Sequence, residues 1–412
     1  MIPDTLYDLA FQFKKTKLWE KLFDSQLFAV RHADGGIGYC CVMGMMGEHL
    51  ALALYPGDEG MDSYRLMGRD RSRMNDFELK ENMLSQNCVM VSFANKSELR
   101  PREIQEVSAY CAAHGLTLKG RKAYPQFQRF RPHYFPWYVD DETDQAHLAE
   151  ALEAAVEVSE RLLMVAPETL GFTEGAPFGR TIPLAEKKAG AFLWGEIALP
   201  EPKPVCYPTP EVHDEIILAK LAKSKKRGGE WACDVFMHVN PVSDENDDGE
   251  PTTEPKNAPF FPYLLLIVDN RSGMVVTVQM SDAPEDYAEN FTRAALYVAL
   301  ENGKPTRILV CNARTHALFS KVAARMDARL VMKEEIPLLE EAKQGFLEHF
   351  ADGEGEQGDE MGQMMDALRD PKMLFDMPDE MLAQLAQIAE MGALPDDIAG
   401  NVRRECNRRG MK

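Results

Sequence analysis

The chain has 412 residues, of which 45% are hydrophobic and 27% charged, a balance that suits two or three soluble globular domains better than one core. Its 66 acidic and 46 basic residues give a net charge of -20, so the mean field repels nucleic acid and anionic membranes, and binding a polyanion needs a local basic patch. No apolar run approaches the ~18 residues of a membrane span, and MIPDTLYDLAFQFKKTK lacks the basic start and apolar core of a secretory signal. Cys40, Cys41, Cys88, Cys111, Cys206, Cys233, Cys311 and Cys406 form no C-x-x-C, and several sit in strand-like runs such as NCVMVSF and RILVC. They read as reduced, buried thiols of a cytoplasmic protein, not as a disulfide framework or zinc site.

In chain order, residues 4 to 23 read as a helix capped by Asp4, with Leu6, Leu9 and Phe13 on one face. The runs QLFAVRHA, GYCCVMG and HLALALYPG follow as strands separated by glycine-containing turns, and NCVMVSFAN as a fourth strand. RPREIQEVSAYCAAHG is a helix with Pro101 near its start and Gly115 at its end, and a long helix runs from about Thr143 to Val165. Residues 1–165 therefore form an α+β domain. Pro167, Pro177, Pro183, Pro200, Pro202, Pro204 and Pro208 punctuate 166–208, which predicts a partly ordered connector.

Thr209 is expected to cap a helix that has Pro210 at its first position and ends in KLAKSKKRGG, its lysines complementing the helix dipole. Then come strand EWACDVFMHVN, an acidic loop, strands YLLLIVD and MVVTVQM, helix 283–302, strand TRILVC, helix 313–326, strand ARLVM and helix 337–350. For helix 283–302, Asp282 and Glu285 form a capping-box pattern, Tyr287, Phe291, Ala294 and Val298 an apolar stripe, and Gly303 the stop. Residues 209–350 make the second domain, 351–360 (ADGEGEQGDE) an acidic hinge, and 361–412 a helical, methionine-rich appendage.

This element order over 230–350 resembles the ribonuclease H fold, particularly its integrase and transposase branch. The resemblance implies a three-layer α/β domain whose second and third strands, YLLLIVDNRSGMVVTVQM, are a hairpin with Asp269 at its turn. DNRSG is also ordinary turn chemistry, since Asp and Asn bond their own backbone and Gly273 accepts positive φ. The family's activity needs carboxylates from the first strand, the fourth strand and a later helix to hold two cations about 4 Å apart. Asp234 matches the first position, and Glu340 or Glu341 the last. The fourth strand ends in LVCNAR, with Cys311 and Asn312 where an Asp is required; Asn is neutral and a thiol prefers softer metals. Asp234 then reads as a solvent-facing residue of an edge strand. The N-terminal half and the two-part layout are similar to an uncharacterised bacterial family of paired domains of unknown function, through WEKLFDSQLFAV, GYCCVMGMMGEHLALALYPGDEGMDSY and FFPYLLLIVDNRSGMV. That similarity supplies no catalytic residues.

Other constellations have plainer readings beside them. SDENDDGEPTTEP opens like a calcium loop with Asp244, Asn246, Asp248 and Gly249, but Pro255 stands at the twelfth position and Glu254 one place early, so it reads as a solvated insertion. In KGRKAYPQFQRFRPHYFPWY, Lys119, Arg121, Lys122, Arg129 and Arg131 are placed to follow phosphates while Phe127, Phe130, Tyr134 or Trp137 stack on bases. The alternative is a domain edge whose aromatic side chains are covered by arginine stems. Met364, Met365, Met377 and Met381 suit a groove that adapts to apolar partners, or gap-filling within the chain. The expected function is a non-enzymatic binding or regulatory protein with no cofactor and no metal, on a catalytically degenerate ribonuclease H-like domain. Its expected partner is a protein or peptide at the appendage; the alternative function is a divalent-metal-dependent nuclease or phosphoryl-transfer enzyme using Asp234, Glu340 and Glu341.

Overall fold

The structure is a computed structural model that describes residues 1–47, 49–68, 76–173, 180–238, 240–242, 258–281 and 283–346, together with Val402, Arg404, Cys406, Arg408 and Arg409. The calcium-like part of the acidic loop, the hinge, and Met364, Met365, Met377 and Met381 lie outside the described residues. The chain divides into two compact units, the first comprising Met1–Ile267 with Val276–Met332 and the second Val268–Val275 with Lys333–Lys412.

The first unit opens with α1 (Asp4–Thr16), β1 (Phe28–Arg31), β2 (Ile37–Met43), β3 (Ala51–Pro56), α2 (Gly57–Met67), α3 (Asp76–Leu84), β4 (Cys88–Ala94), α4 (Pro101–Ala113), β5 (Tyr124–Phe130), α5 (Glu142–Arg161), β6 (Thr181–Lys188) and β7 (Ala191–Ala198). The strands form one mixed sheet in the order β5-β4-β3-β2-β1-β6-β7, in which β1 and β6 run parallel. Side-chain alternation explains why it is covered on both faces. Cys40, Val42, Leu52 and Leu54 join the core formed with α1 and α5, whereas Tyr39, Cys41, Ala53 and Tyr55 join a second core with Met61 of α2.

The expected connector is more ordered than its prolines predict, because β6 and β7 form a hairpin within it. Pro183 lies just before Leu184–Glu186, the stretch that pairs with β1, so its missing N–H is tolerated. Helix α6 (Glu215–Lys223) starts later than the Thr209–Pro210 pattern predicts. Asp214 caps it by accepting from the amides of Ile216 at 3.1 Å and Ile217 at 2.9 Å.

A second mixed sheet follows, built from β8 (Glu230–Met237), β9 (Tyr263–Asp269), β10 (Val275–Met280), β11 (Arg307–Val310) and β12 (Arg329–Met332), with helices α7 (Tyr287–Asn302) and α8 (Ala313–Arg325). Its order is β10-β9-β8-β11-β12, and β11 runs parallel to both β8 and β12. Trp231, Cys233 and Val235 of β8 pack with Phe291 of α7 and Phe319 of α8, each large side chain contributing roughly 1.5–3 kcal/mol by burial. β8 is thus the central strand, and Asp234 is only 1% exposed, which corrects the expectation of a solvent-facing edge residue. Helix α7 starts at Tyr287 with Asp286 at the capping position, later than the Asp282–Glu285 pattern predicts. It stops at Gly303, whose φ is +99° and where a Cβ would lie 2.7 Å from the Gly228 amide nitrogen. Only glycine fits both demands.

In the second unit, Asp269 Oδ1 accepts from Arg271 N at 3.2 Å, Ser272 N at 2.9 Å and Ser272 Oγ at 2.9 Å. These bonds, led by the Ser272 amide, hold its carboxyl below the usual range. Gly273 takes φ +73°, so the segment is the turn that its composition predicts. Residues 337–346 are helical, and Glu340 and Glu341 are exposed on them.

Candidate functional site

Asp234 sits where β8 meets the start of α8. Asn312 is the N-cap of α8: its Oδ1 accepts from the Thr315 amide at 2.8 Å, and its Nδ2 donates to Asp234 Oδ1. The Thr315 hydroxyl donates to the same Asp234 oxygen at 3.3 Å and accepts from the Val235 amide at 2.9 Å. One buried carboxylate therefore ties the central strand to the first turn of a helix through neutral donors. Two hard cations would need anionic oxygens where Asn312 presents an amide N–H, so these first-unit residues do not fit the two-metal centre implied by the ribonuclease H resemblance.

The basic-aromatic strip is dispersed by the fold. It forms β5 and the segment after it, and Phe127 enters the core edge-on to Tyr7 at 5.3 Å. Trp137 is buried, with the Arg100 guanidinium 5.2 Å from its ring centre, and Phe130 is half-buried. Arg129 binds Asp144 at 3.0 Å and Asn87 at 2.9 Å, and Arg131 lies over Tyr134 at 4.6 Å. Lys122 donates to the Gly47 carbonyl at 2.7 Å, leaving Lys119 and Arg121 as the exposed bases of the set. The aromatic side chains thus serve packing, and the cations beside them are engaged with protein groups.

A different constellation lines a cavity of about 440 Å³ within the first unit. It is lined by residues of α3, by the irregular segment Val205–Pro208, and by His133, Tyr263, Tyr287 and Arg314. Arg314 belongs to the first turn of α8, where the helix dipole disfavours a cation. Glu81 of α3 offsets this with a bidentate pair: Nη1 lies 3.1 Å from Oε2, and Nη2 meets Oε1. The side chains of Arg314 and Glu81 are 14% and 17% exposed. Burial opposes the charge on Arg314, but neighbouring Glu81 outweighs it and raises the guanidinium pKa. The guanidinium also faces two rings, Tyr263 at 4.6 Å and Tyr207 at 5.2 Å.

Tyr263 links this pair to His133. Its hydroxyl lies 3.0 Å from Glu81 Oε1 and 3.0 Å from His133 Nε2. Burial lowers the His133 pKa, which favours the neutral ring, and burial together with Glu81 raises that of Tyr263. A carboxylate only accepts and a phenol has one proton, so Tyr263 donates to Glu81 and accepts from His133 Nε2–H. His133 Nδ1 then carries a lone pair, and this buried nitrogen has no hydrogen-bond partner among the described residues. The ring is held in place from its own backbone: His133 takes φ +66°, its amide donates to Leu84 O at 2.8 Å, and its carbonyl accepts from Phe261 N at 2.7 Å.

None of the sequence-derived candidates lies in this cavity. Its polar groups come from an α3 helix, a turn, an irregular segment, a strand start and two helix starts, and no local spacing unites them. The one hint in the sequence is Tyr263, a hydroxyl-bearing residue at the head of the otherwise apolar run YLLLIV.

Residues 4–178 match the family model described as a domain of unknown function (DUF7309), and residues 217–347 match that of another domain of unknown function (DUF6930). Together they support an uncharacterised family of paired domains. A comparison with curated proteins finds no match. Among the described residues, no helix is long and apolar enough to cross a membrane.

Proposed function

We propose that the protein is a non-enzymatic binding protein whose ligand site is the cavity around Glu81 and Arg314, and that its second sheet is a catalytically degenerate ribonuclease H-like domain. The observation that carries the binding reading is the partly buried Glu81–Arg314 pair that lines an open cavity. A charged pair bonded to a tyrosine–histidine relay and lined by aromatic residues combines what ligand sites need, namely placed polar groups on a partly apolar surface. The ribonuclease H-like reading draws support from the strand order, which within this domain runs third, second, first, fourth, fifth, with the first, fourth and fifth parallel. Its degeneracy draws support from the amide and hydroxyl donors on Asp234. The cysteines, all free thiols, agree with a cytoplasmic location.

The test is thermal-shift screening of the full-length protein with amino acids, nucleosides, sugars, amines and carboxylates, beside an assay of labelled DNA and RNA with Mn²⁺. At least one compound should stabilise the wild type and lose its effect in Tyr207→Ala, with no cleavage. Mn²⁺-dependent cleavage that disappears in Asp234→Ala and Glu340→Ala would establish the nuclease instead.

A further inference from the structure

We infer that the turn between β2 and β3, with the bases beside it, docks on a membrane surface rich in anionic lipid. The inference is independent of the cavity. The Gly47 amide donates to the Gly44 carbonyl at 2.8 Å, closing a tight turn around Met45 and Met46. Gly44 and Gly47 take φ +133° and +77°, values that glycine reaches without strain. Packing fixes the base of the turn, since a Cβ on Gly44 would lie 2.8 Å from Leu50 and 3.1 Å from Trp19. At its tip, Met45 is 37% and Met46 88% exposed. A well-supported hairpin thus holds two apolar, adaptable side chains in water.

The same end of the sheet carries positive charge. Lys122 Nζ donates to the Gly47 carbonyl at 2.7 Å, and the Lys122 amide to Asn95 Oδ1 at 2.9 Å, which gathers residues 119–122 and 95–98 beside the turn. Lys96, Lys119 and Arg121 are exposed there. Of the acids in these segments, Glu98 accepts from the Asn95 amide, and Glu48 lies outside the described residues. The net charge of -20 acts mostly from beyond the ~8 Å screening length of physiological salt, so the nearby bases set the local field. Bases around an apolar tip match a lipid surface, where anionic headgroups meet the cations and the acyl boundary receives the tip. A nucleic acid would call for stacking rings, but Phe127 and Trp137 are buried. A bound peptide would call for a groove, whereas Met46 stands out into solvent.

Co-sedimentation of the full-length protein with phosphatidylcholine vesicles, with and without roughly one-third phosphatidylserine, tests the inference. Affinity for the mixed vesicles should be at least tenfold higher and should fall as salt is added. Met46→Ser should weaken it at least threefold and Met46→Trp should strengthen it. Lys119→Glu combined with Arg121→Glu should weaken it at least tenfold, because each base near an anionic surface contributes about fivefold. All three positions are exposed, and circular dichroism checks that the variants fold. Equal binding to the two kinds of vesicle, or none to either, would overturn the inference. So would binding to mixed vesicles that either the Met46 variants or the charge variant leaves unchanged. Fluorescence anisotropy with a labelled oligoglutamate and a labelled oligonucleotide covers the rival occupants: tighter binding of either, insensitive to Met46→Ser, would assign the patch to that partner and overturn the lipid.

Discussion

Two carboxylates of the first unit, the buried Asp234 and the partly buried Glu81, meet their surroundings in opposite ways. Asp234 is 1% exposed and accepts from Asn312 and Thr315, neutral groups that also organise the start of α8. Glu81 faces a cation, a phenol and an open cavity. The first arrangement stitches a strand to a helix. The second holds charge at a surface that a ligand can reach. Burial of an acid is therefore a poor guide to function until its donors, and the space beside it, are known.

The contrast breaks most sharply at Arg314. Arg314→Ala leaves Glu81 mostly buried without its cation and should cost about 3–5 kcal/mol in urea unfolding. Glu81→Gln in the same background should recover part of that loss, and failure to recover any would mean that packing, not charge, sets the value. Asn312→Ala removes a helix cap and a donor to Asp234, and should cost about 1–3 kcal/mol without changing the affinity for a cavity ligand. A large change in that affinity would erase the distinction between the two regions.

Acid should act on the cavity through His133. Its pKa is lowered in the folded chain from an ordinary value of 6.5, so the unfolded chain binds the proton more readily. The stability contributed by its neutral ring is full above about pH 6.5 and is lost as pH falls through the lowered value, by at most ~1.4 kcal/mol per pH unit. His32, buried against Glu150 at 2.7 Å, is shifted the same way, chiefly by burial. Urea unfolding between pH 7 and pH 5 should show the decline, and His133→Phe should make it shallower. The smallest effect belongs to Asp269→Ala, which removes turn bonds at a half-exposed site and should cost about 1 kcal/mol, most of it restored by Asp269→Asn.

Much of the fold was legible because its signals are local. Pro101 opens α4 and Gly303 closes α7 where the sequence places them. Strands β2, β3 and β4 are short apolar runs, and the structure keeps them as strands while placing α2 and α3 between β3 and β4. Local signals also misled. Prolines mask β6 and β7, although β6 pairs with both β1 and β7, and the basic residues of β5 mask Phe127, which the sheet turns inward. Asp234 stands out in the sequence as an acid inside an apolar run, but its place at the sheet centre depends on β11 and β12 arriving beside β8 from far along the chain.

The sequence by itself determined elements with strong local signals such as α4, β4 and β9, the acidic field and the amide at Asn312 that meets Asp234, because periodicity, charge and residue type need no partner to be read. Only the tertiary structure decided that Glu81, His133, Tyr207, Tyr263 and Arg314 share one cavity. Their hydrogen bonds act over about 3 Å, while the chain separating them is fixed by sheet order and helix packing that no short window contains.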